Sequence, residues 1–451
     1  MFHKTRQISE YINNDYKDYA LYTISSRGIP SFFDTLTPLH RLILTTAPTD
    51  FRKTLNLVGD IIKGYHHGDA SLSNGISRLA RPYLNAVNLL EGDGFFGSPV
   101  DQTPASPRYT SVKINPKIKN IIDEYKIIND YTLVDYSQDP LKVNFPIGLL
   151  NFTIGIAVGF ATRILPRKFE ELEKFMKGND KADLTPYLQN YNGSIKQADI
   201  DGRCWLFQGD VVQEKNTVRI YNVPPFIKYK TFLEKLNDVV SDLDFEIGID
   251  NNSKDHIDFT LKINRESQTP EFIKAVKKIV SVVITENITF TESNRVLEYA
   301  NIKDYLIDFR NVVLLNEKLF TEKLISNVIK EIQFVDEKIK FIEFMVEKKR
   351  SEKEIELYLK KFGSEIKQRL NNIKIRELSI ESLQNLSNKT RMDLVNCKTD
   401  DEKKLEKLTK KIESTLFSKH NIVKDIDSKI LSEFKEIEQY VIEDEDIEEE
   451  I

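Results

Sequence analysis

Two neighbouring runs decide how this sequence is read: Glu91-Gly92-Asp93-Gly94-Phe95-Phe96-Gly97-Ser98 and, a few residues on, Pro104-Ala105-Ser106-Pro107-Arg108-Tyr109-Thr110. The glycines at 92, 94 and 97 let a backbone turn tightly or approach a ligand closely. No Gly-Lys-Ser/Thr follows them, and no strand-to-helix context supports a dinucleotide fingerprint, so this is not a phosphate loop. Pro107 stiffens the approach to Arg108, which sets a permanent charge beside a phenol. A tyrosine can act as a covalent nucleophile when its proton is removed and the developing charge is offset. Taken alone, an Arg-Tyr pair is almost always a surface strand.

The surrounding chain bounds the class. It has 451 residues, with 65 Lys plus Arg and 70 Asp plus Glu, a formal charge of −5. That length suits roughly three domains. A charged fraction of 30% beside 40% hydrophobic residues excludes a disordered chain and a uniformly basic nucleic-acid coat, but not a local basic groove. Cys204 and Cys397 are the only cysteines, too few for a disulfide framework or structural zinc site and consistent with a reducing cytosol. The polar start, Met1 to Glu10, lacks a signal-peptide core. Between Lys142 and Arg163 no residue is charged, but Pro146, Gly148, Gly155 and Gly159 interrupt the run, so buried strands and turns are expected there instead of a membrane helix.

The pattern changes along the chain. Residues 1 to about 140 are mixed. From about 141 to 295, alternation at Asn216–Val223 and His256–Ile263 predicts strands, with helices at Thr231–Leu243 and Pro270–Val283. Beyond 300, Ile325, Val328, Ile332, Val335, Ile339, Ile342 and Val346 form an a/d seam, and Leu405, Leu408, Ile412 and Leu416 form another. Two seams flanking a shorter helical stretch around Gly363 suggest one long antiparallel hairpin; separate bundle helices are the alternative. Glu443 to Ile451 are nearly all acidic and suggest a disordered tail.

Taken in order, the motifs resemble the breakage-reunion subunit of type IIA DNA topoisomerases, the gyrase A-like family, and look most like the compact bacteriophage T-even-type medium subunits. The matching blocks are Arg27-Gly28-Ile29-Pro30 through Asp34 to Pro38-Leu39-His40-Arg41; His66-His67-Gly68-Asp69; Phe96-Gly97-Ser98; Ala105-Ser106-Pro107-Arg108-Tyr109; and Gly155-Ile156-Ala157-Val158-Gly159-Phe160-Ala161-Thr162. No single block is specific; the ordered set is.

The resemblance implies an α+β multidomain fold: an N-terminal arm and winged-helix DNA-cleavage domain over 1–140, a tower α+β domain over 141–298, a coiled-coil exit gate over 299–435 and an acidic tail over 436–451. It implies that Tyr109 attacks the scissile phosphodiester to give a 5′-phosphotyrosyl bond, with Arg108 offsetting charge on the non-bridging oxygens and His67 near the scissile phosphate. Arg27, His40, Arg41, His66 and Arg78 correspond to positions on the DNA backbone, where neutralised phosphates give affinity without sequence reading. Ile156 corresponds to a wedge between base pairs.

Departures are present. Thr35-Leu36-Thr37-Pro38 stands where the family usually has Gly-Leu-Lys-Pro, so a phosphate-contacting lysine is missing at Thr37. The helix after Asp69 begins Ala70-Ser71-Leu72-Ser73-Asn74, without the serine and acidic residue that anchor quinolones in gyrase, so gyrase-like drug sensitivity is not expected. No Toprim Glu-Gly-Asp-Ser and no ATP motif occurs; Asp199-Ile200-Asp201 and Asp242-Leu243-Asp244 read as solvated surface. The resemblance therefore implies no metal site in this chain, Mg²⁺ bound mainly by the Toprim domain of a separate large subunit that also carries the ATPase, double-stranded DNA as substrate, a homodimer of this chain, no membrane, and a cytoplasmic site of action, that of the host for a phage protein. With no DNA-wrapping β-pinwheel after the seams, relaxation and decatenation are expected in place of supercoiling. Two other readings are a tyrosine recombinase, disfavoured by the early position of Tyr109, and a non-catalytic coiled-coil DNA-organising protein.

Overall fold

A computed structural model describes residues 15–65, 68–129, 140–141, 143–241, 247–263, 268–292, 295–347, 351–362, 364–371, 380–413 and 421–423. The chain packs as two units, one of residues 1–310 with 418–451 and the other of residues 311–417.

In the first unit, α1 (Lys17–Thr23) runs into a π-helical turn, Ile24–Gly28. Three helices follow: α2 (Pro38–Thr46), α3 (Thr54–Ile61) and α4 (Asp69–Ala80). Thr37 caps α2, its hydroxyl accepting from His40 N–H at 3.3 Å, with Pro38 at the first helical position. Leu57, Val58, Ile61, Leu72, Ile76 and Leu79 turn inward at helical spacing. Beside them lies a three-stranded antiparallel sheet, β1 (Arg52–Lys53), β2 (Leu90–Asp93) and β3 (Ser111–Ile114), in the order β1-β3-β2. α5 (Pro116–Asn129) follows.

The uncharged stretch breaks as its composition suggests. Ile147–Leu150 is a buried 3₁₀ turn, and β4 (Thr153–Ala157) pairs with β5 (Phe160–Ile164) through the two-residue turn Val158-Gly159. No described helix is long and apolar enough to cross a membrane. After α6 (Phe169–Met176) come β6 (Ser194–Gln197), β7 (Cys204–Gln208), β8 (Asp210–Gln213), β9 (Thr217–Tyr221), α7 (Tyr229–Ser241), β10 (Gly248–Asn251), β11 (Phe259–Lys262), α8 (Pro270–Ile279), β12 (Ser281–Thr285), β13 (Ile288–Glu292) and β14 (Arg295–Tyr299). The alternating segments 216–223 and 256–263 become neighbours, Phe259 opposite Ile220 and Leu261 opposite Val218. In the β10-β11-β9-β8 sheet, one face packs on α7 and α8 through Val218, Ile220, Phe232, Leu236, Phe259, Leu261 and Val276.

Two buried ion pairs fix this unit. Arg167 and Glu286 are both fully enclosed, paired at 2.7 Å, and Trp205 Nε1 donates to the same carboxylate at 3.0 Å. Leu165 N–H donates to Glu286 Oε1 at 2.7 Å, while Arg163 N–H and Asn287 N–H donate to each other's carbonyls at 2.9 Å. The base of the β4–β5 hairpin is thus tied to the β12–β13 connection. The second pair, Arg41–Asp34, is described with the groove below.

The second unit continues α9 (Ile302–Glu347), which carries the first seam on one uninterrupted 46-residue helix. Two eight-residue helices, α10 (Glu352–Leu359) and α11 (Ser364–Asn371), lead to α12 (Ile380–Glu413). Phe341, Leu359 and Leu370 form a small core with Phe344 and Tyr358 packed against it. Ser351 and Glu354 make a reciprocal capping box at the start of α10. Of the second seam, Leu405 and Leu408 lie on α12; the side chains of Val346 and Ile412, Leu416, Gly363 and the acidic tail lie outside the described residues.

Candidate nucleic-acid interface

One groove, of about 390 Å³, gathers four of the residues singled out from the sequence. Arg27, at the end of the π-helical turn, lines it with His40 from α2, Arg78 from the last turn of α4 and Ile156 from β4; Tyr19, Thr37 and Ile154 are also in its wall. A groove that binds phosphates needs accessible cations, and Arg27 and Arg78 are both exposed at its surface. Although Arg78 keeps an exposed surface, partial desolvation in the groove wall, and after it the neighbouring Arg81 charge, lower its pKa, so an anion here offsets like-charge repulsion. Burial and then Arg78 push His40 down to about 4. At neutral pH it offers a hydrogen bond and no charge.

Ile156 is 81% exposed, an unusual position for a large aliphatic side chain flanked by a groove of cations. Its hairpin is seated main chain to main chain on the turn that bears Arg27. A Cβ on Gly155 would stand 1.8 Å from Gly28 O, and a Cβ on Gly28 would stand 2.5 Å from Ile156 O. Only glycine permits that approach at either position. Ala20, Ile24, Ile29, Phe160 and Val296 fill the core beneath.

Arg41, expected on the DNA backbone, is instead a core residue. It is 1% exposed; its Nε donates to Asp34 Oδ2 at 2.6 Å, and Nη2 donates to Asp34 Oδ1 at 3.1 Å and to Leu36 O at 3.3 Å. Asp34 also accepts from the N–H groups of Leu36 and Leu141. Adjacent helical residues point apart, so His40 faces the groove while Arg41 faces inward. Thr37, where the family lysine is missing, is 7% exposed and caps α2. Thr35 takes φ +57° where the family has glycine; its hydroxyl donates to Asp34 O and accepts from Gly148 N–H, both at 2.6 Å.

Tyr109 and Arg108 do not line this groove. They sit on the turn Pro107–Tyr109 immediately before β3, both exposed, with Tyr109 at 70%. Tyr109 N–H donates to Ser106 O at 2.8 Å and Ala105 N–H to Phe95 O at 2.9 Å, which ties the turn to the glycine run. Gly94 has φ +105°, and a Cβ there would meet Tyr109 O at 3.3 Å. An exposed phenol next to an exposed guanidinium is available to a substrate from outside. His66 and His67 lie outside the described residues. Asp199 accepts from the N–H groups of Arg203 and Cys204 and closes a turn. Among the described residues, no three His, Cys, Asp or Glu side chains converge to hold a metal ion.

A family model described as the A subunit of DNA gyrase/topoisomerase IV matches residues 27–427. The chain belongs to this family. Among relatives of this gyrase A-like chain, the DNA topoisomerase medium subunit of Enterobacteria phage T4 is 26% identical over 354 residues, covering 73% of this chain and 77% of the relative. The DNA gyrase A subunit of Streptomyces coelicolor is 35% identical over 199 residues, 41% of this chain and only 22% of that protein. A crystal structure of the Plasmodium falciparum topoisomerase II DNA-binding, cleavage and re-ligation domain superposes with a TM-score of 0.62 at 21% identity, covering 94% of this chain and 63% of that one. The mixed α+β fold of the gyrase A-like chain is thus shared with that domain.

Proposed function

We propose that this chain is the DNA-cleaving and religating subunit of an ATP-dependent type II DNA topoisomerase. In this reading, α2–α4 with the β1-β3-β2 sheet form a winged-helix cleavage domain, the strand-rich segment after it a tower domain, and α9–α12 a coiled-coil exit gate. The single observation that carries the reading is the exposed Arg108–Tyr109 pair in a chain of this family whose separate cationic groove bears an exposed isoleucine.

The chemistry is an exchange of phosphodiester bonds. The Tyr109 oxygen loses its proton and bonds to phosphorus, the bond to the 3′ oxygen breaks, and that oxygen leaves as a hydroxyl. Bond energy is conserved in the phosphotyrosyl link, so resealing is the same step reversed. Arg108 offsets charge on the non-bridging oxygens, a term that acts only where charge develops. His67 is assigned to proton movement, and Arg27, Arg78, His40 and His66 to the backbone of the bound duplex. Ile156 enters the base stack and bends it; unstacking costs a few kcal/mol per step. Mg²⁺, which would stabilise the attacking and leaving oxygens, and ATP belong to a separate large subunit. Two copies of the chain pair, because a break in both strands needs two tyrosines. DNA passage through the break relaxes or decatenates DNA.

Tyr109→Phe tests the reading. Incubation with plasmid, Mg²⁺ and the large subunit, then a denaturant quench, should give protein-linked linear DNA with the unchanged chain and none with the variant, which still binds duplex. Adducts persisting in Tyr109→Phe would end the proposal.

A further inference from the structure

The start of α3 is capped in an uncommon way. Lys53 occupies the N-cap position without a side-chain capping bond, although the first N–H groups of any helix lack partners within it. The tyrosine turn supplies them. Thr54 N–H donates to Thr110 O at 3.0 Å, and Leu55 N–H donates to Pro107 O at 3.2 Å. Those two carbonyls bracket Arg108 and Tyr109. A side-chain bond adds a third point: Thr110 Oγ1 donates to Thr54 Oγ1 at 2.8 Å. Both threonines are 1% exposed, so water does not compete for this bond, and either hydroxyl is costly to leave alone. The turn is held at both ends while the tyrosine side chain between them projects into solvent.

We propose that Thr54 and Thr110 are positioning residues: their buried hydroxyl pair locks the Pro107–Thr110 turn onto the first turn of α3 and so sets the line along which the Tyr109 oxygen meets phosphorus. The inference rests on Tyr109 being the nucleophile. Displacement at phosphorus requires the entering and leaving oxygens roughly in line, and a misplacement of about 1 Å can cost on the order of a hundredfold in rate. The backbone bonds alone fix where the turn sits. The hydroxyl pair, directly after the tyrosine, fixes its rotation about that seat.

The test uses the full chain together with its large subunit, comparing Thr54→Val, Thr110→Val, the double variant, Thr54→Ser and Thr110→Ser. Three quantities are read: the single-turnover rate of covalent complex formation at saturating duplex, the duplex Kd by anisotropy, and Tm. The valine variants keep the shape and remove the bond; they should slow cleavage by about tenfold or more while Kd stays within about twofold. The double variant should be no slower than the slower single one, because the same bond is removed once. The serine variants should cleave at close to the original rate. Valine variants that cleave normally, rate and affinity falling together, or serine variants as slow as valine would each overturn the proposal. Should valine abolish folding, the serine rates decide: near-normal upholds the hydroxyl pair, valine-like slowness in folded serine variants overturns it. Tyr109→Phe alongside separates the two levels, since adducts in that variant defeat the nucleophile reading whatever the threonines do.

Discussion

Replacing Arg41 by alanine distinguishes a core cation from a DNA-binding one. Its partner Asp34 is fully enclosed and Arg41 is 1% exposed, with three guanidinium bonds between 2.6 and 3.3 Å. Removing the cation leaves a buried carboxylate without its charge partner, a change worth about 3 to 5 kcal/mol. At ~2 cal/mol/K of unfolding entropy per residue in a unit of some three hundred residues, that is a Tm fall on the order of 6 °C. A phosphate contact has another signature, a decrease of about 0.9 in the slope of log K against log salt. Arg41→Ala, measured below its lowered Tm, should therefore keep the original slope, whereas Arg27→Ala should lose about one phosphate's worth and keep its Tm. Duplex anisotropy titrations over a salt series, with thermal melts, read both. An Arg41→Ala chain with unchanged Tm and a reduced slope would refute the assignment of Arg41 to the core.

Ile156→Ala removes a side chain already 81% exposed, so stability should change by less than about 0.5 kcal/mol while bending of an end-labelled duplex, followed by energy transfer, is lost; normal bending would count against a wedge. Gly155→Ala sets a Cβ 1.8 Å from Gly28 O, and should both lower stability by about 1 to 3 kcal/mol and abolish bending; a variant that melts and bends normally would show the seat is dispensable. Folded His40 takes its proton only near pH 4, against 6.5 when unfolded. Between those values the unfolded chain binds more protons, so stability is full above pH 6.5 and falls with acidification, by about 2 kcal/mol at pH 5. Urea titrations at pH 7 and pH 5 should show that loss diminished in His40→Gln, and an equal loss in both chains would contradict it.

Local patterns were legible wherever burial has a period. The 325–346 seam lies on one helix, and the alternating segments 216–223 and 256–263 became paired strands because each buries every second side chain. Arg27, His40, Arg78 and Ile156 are picked out by motif order, not periodicity, and their convergence on one groove is visible only in the fold, since four separate elements deliver them. The burial of Arg41 is not legible, because sequence places it beside His40 but says nothing about which of two adjacent helical residues turns inward. The seating of Thr54 carries no sequence signal: no capping residue precedes α3, and its hydroxyl partner is 56 positions away. Thr35 at φ +57° shows a further limit, as a β-branched residue occupies a backbone state that composition would reserve for glycine.

Because Gly28 and Gly155 meet backbone to backbone, no side chain stands between the arginine and the isoleucine to flex or be tuned. If Arg27 grips the duplex and Ile156 wedges it, as proposed, the two are ganged like the jaws of one tool, and a tilt of the duplex at one is passed to the other.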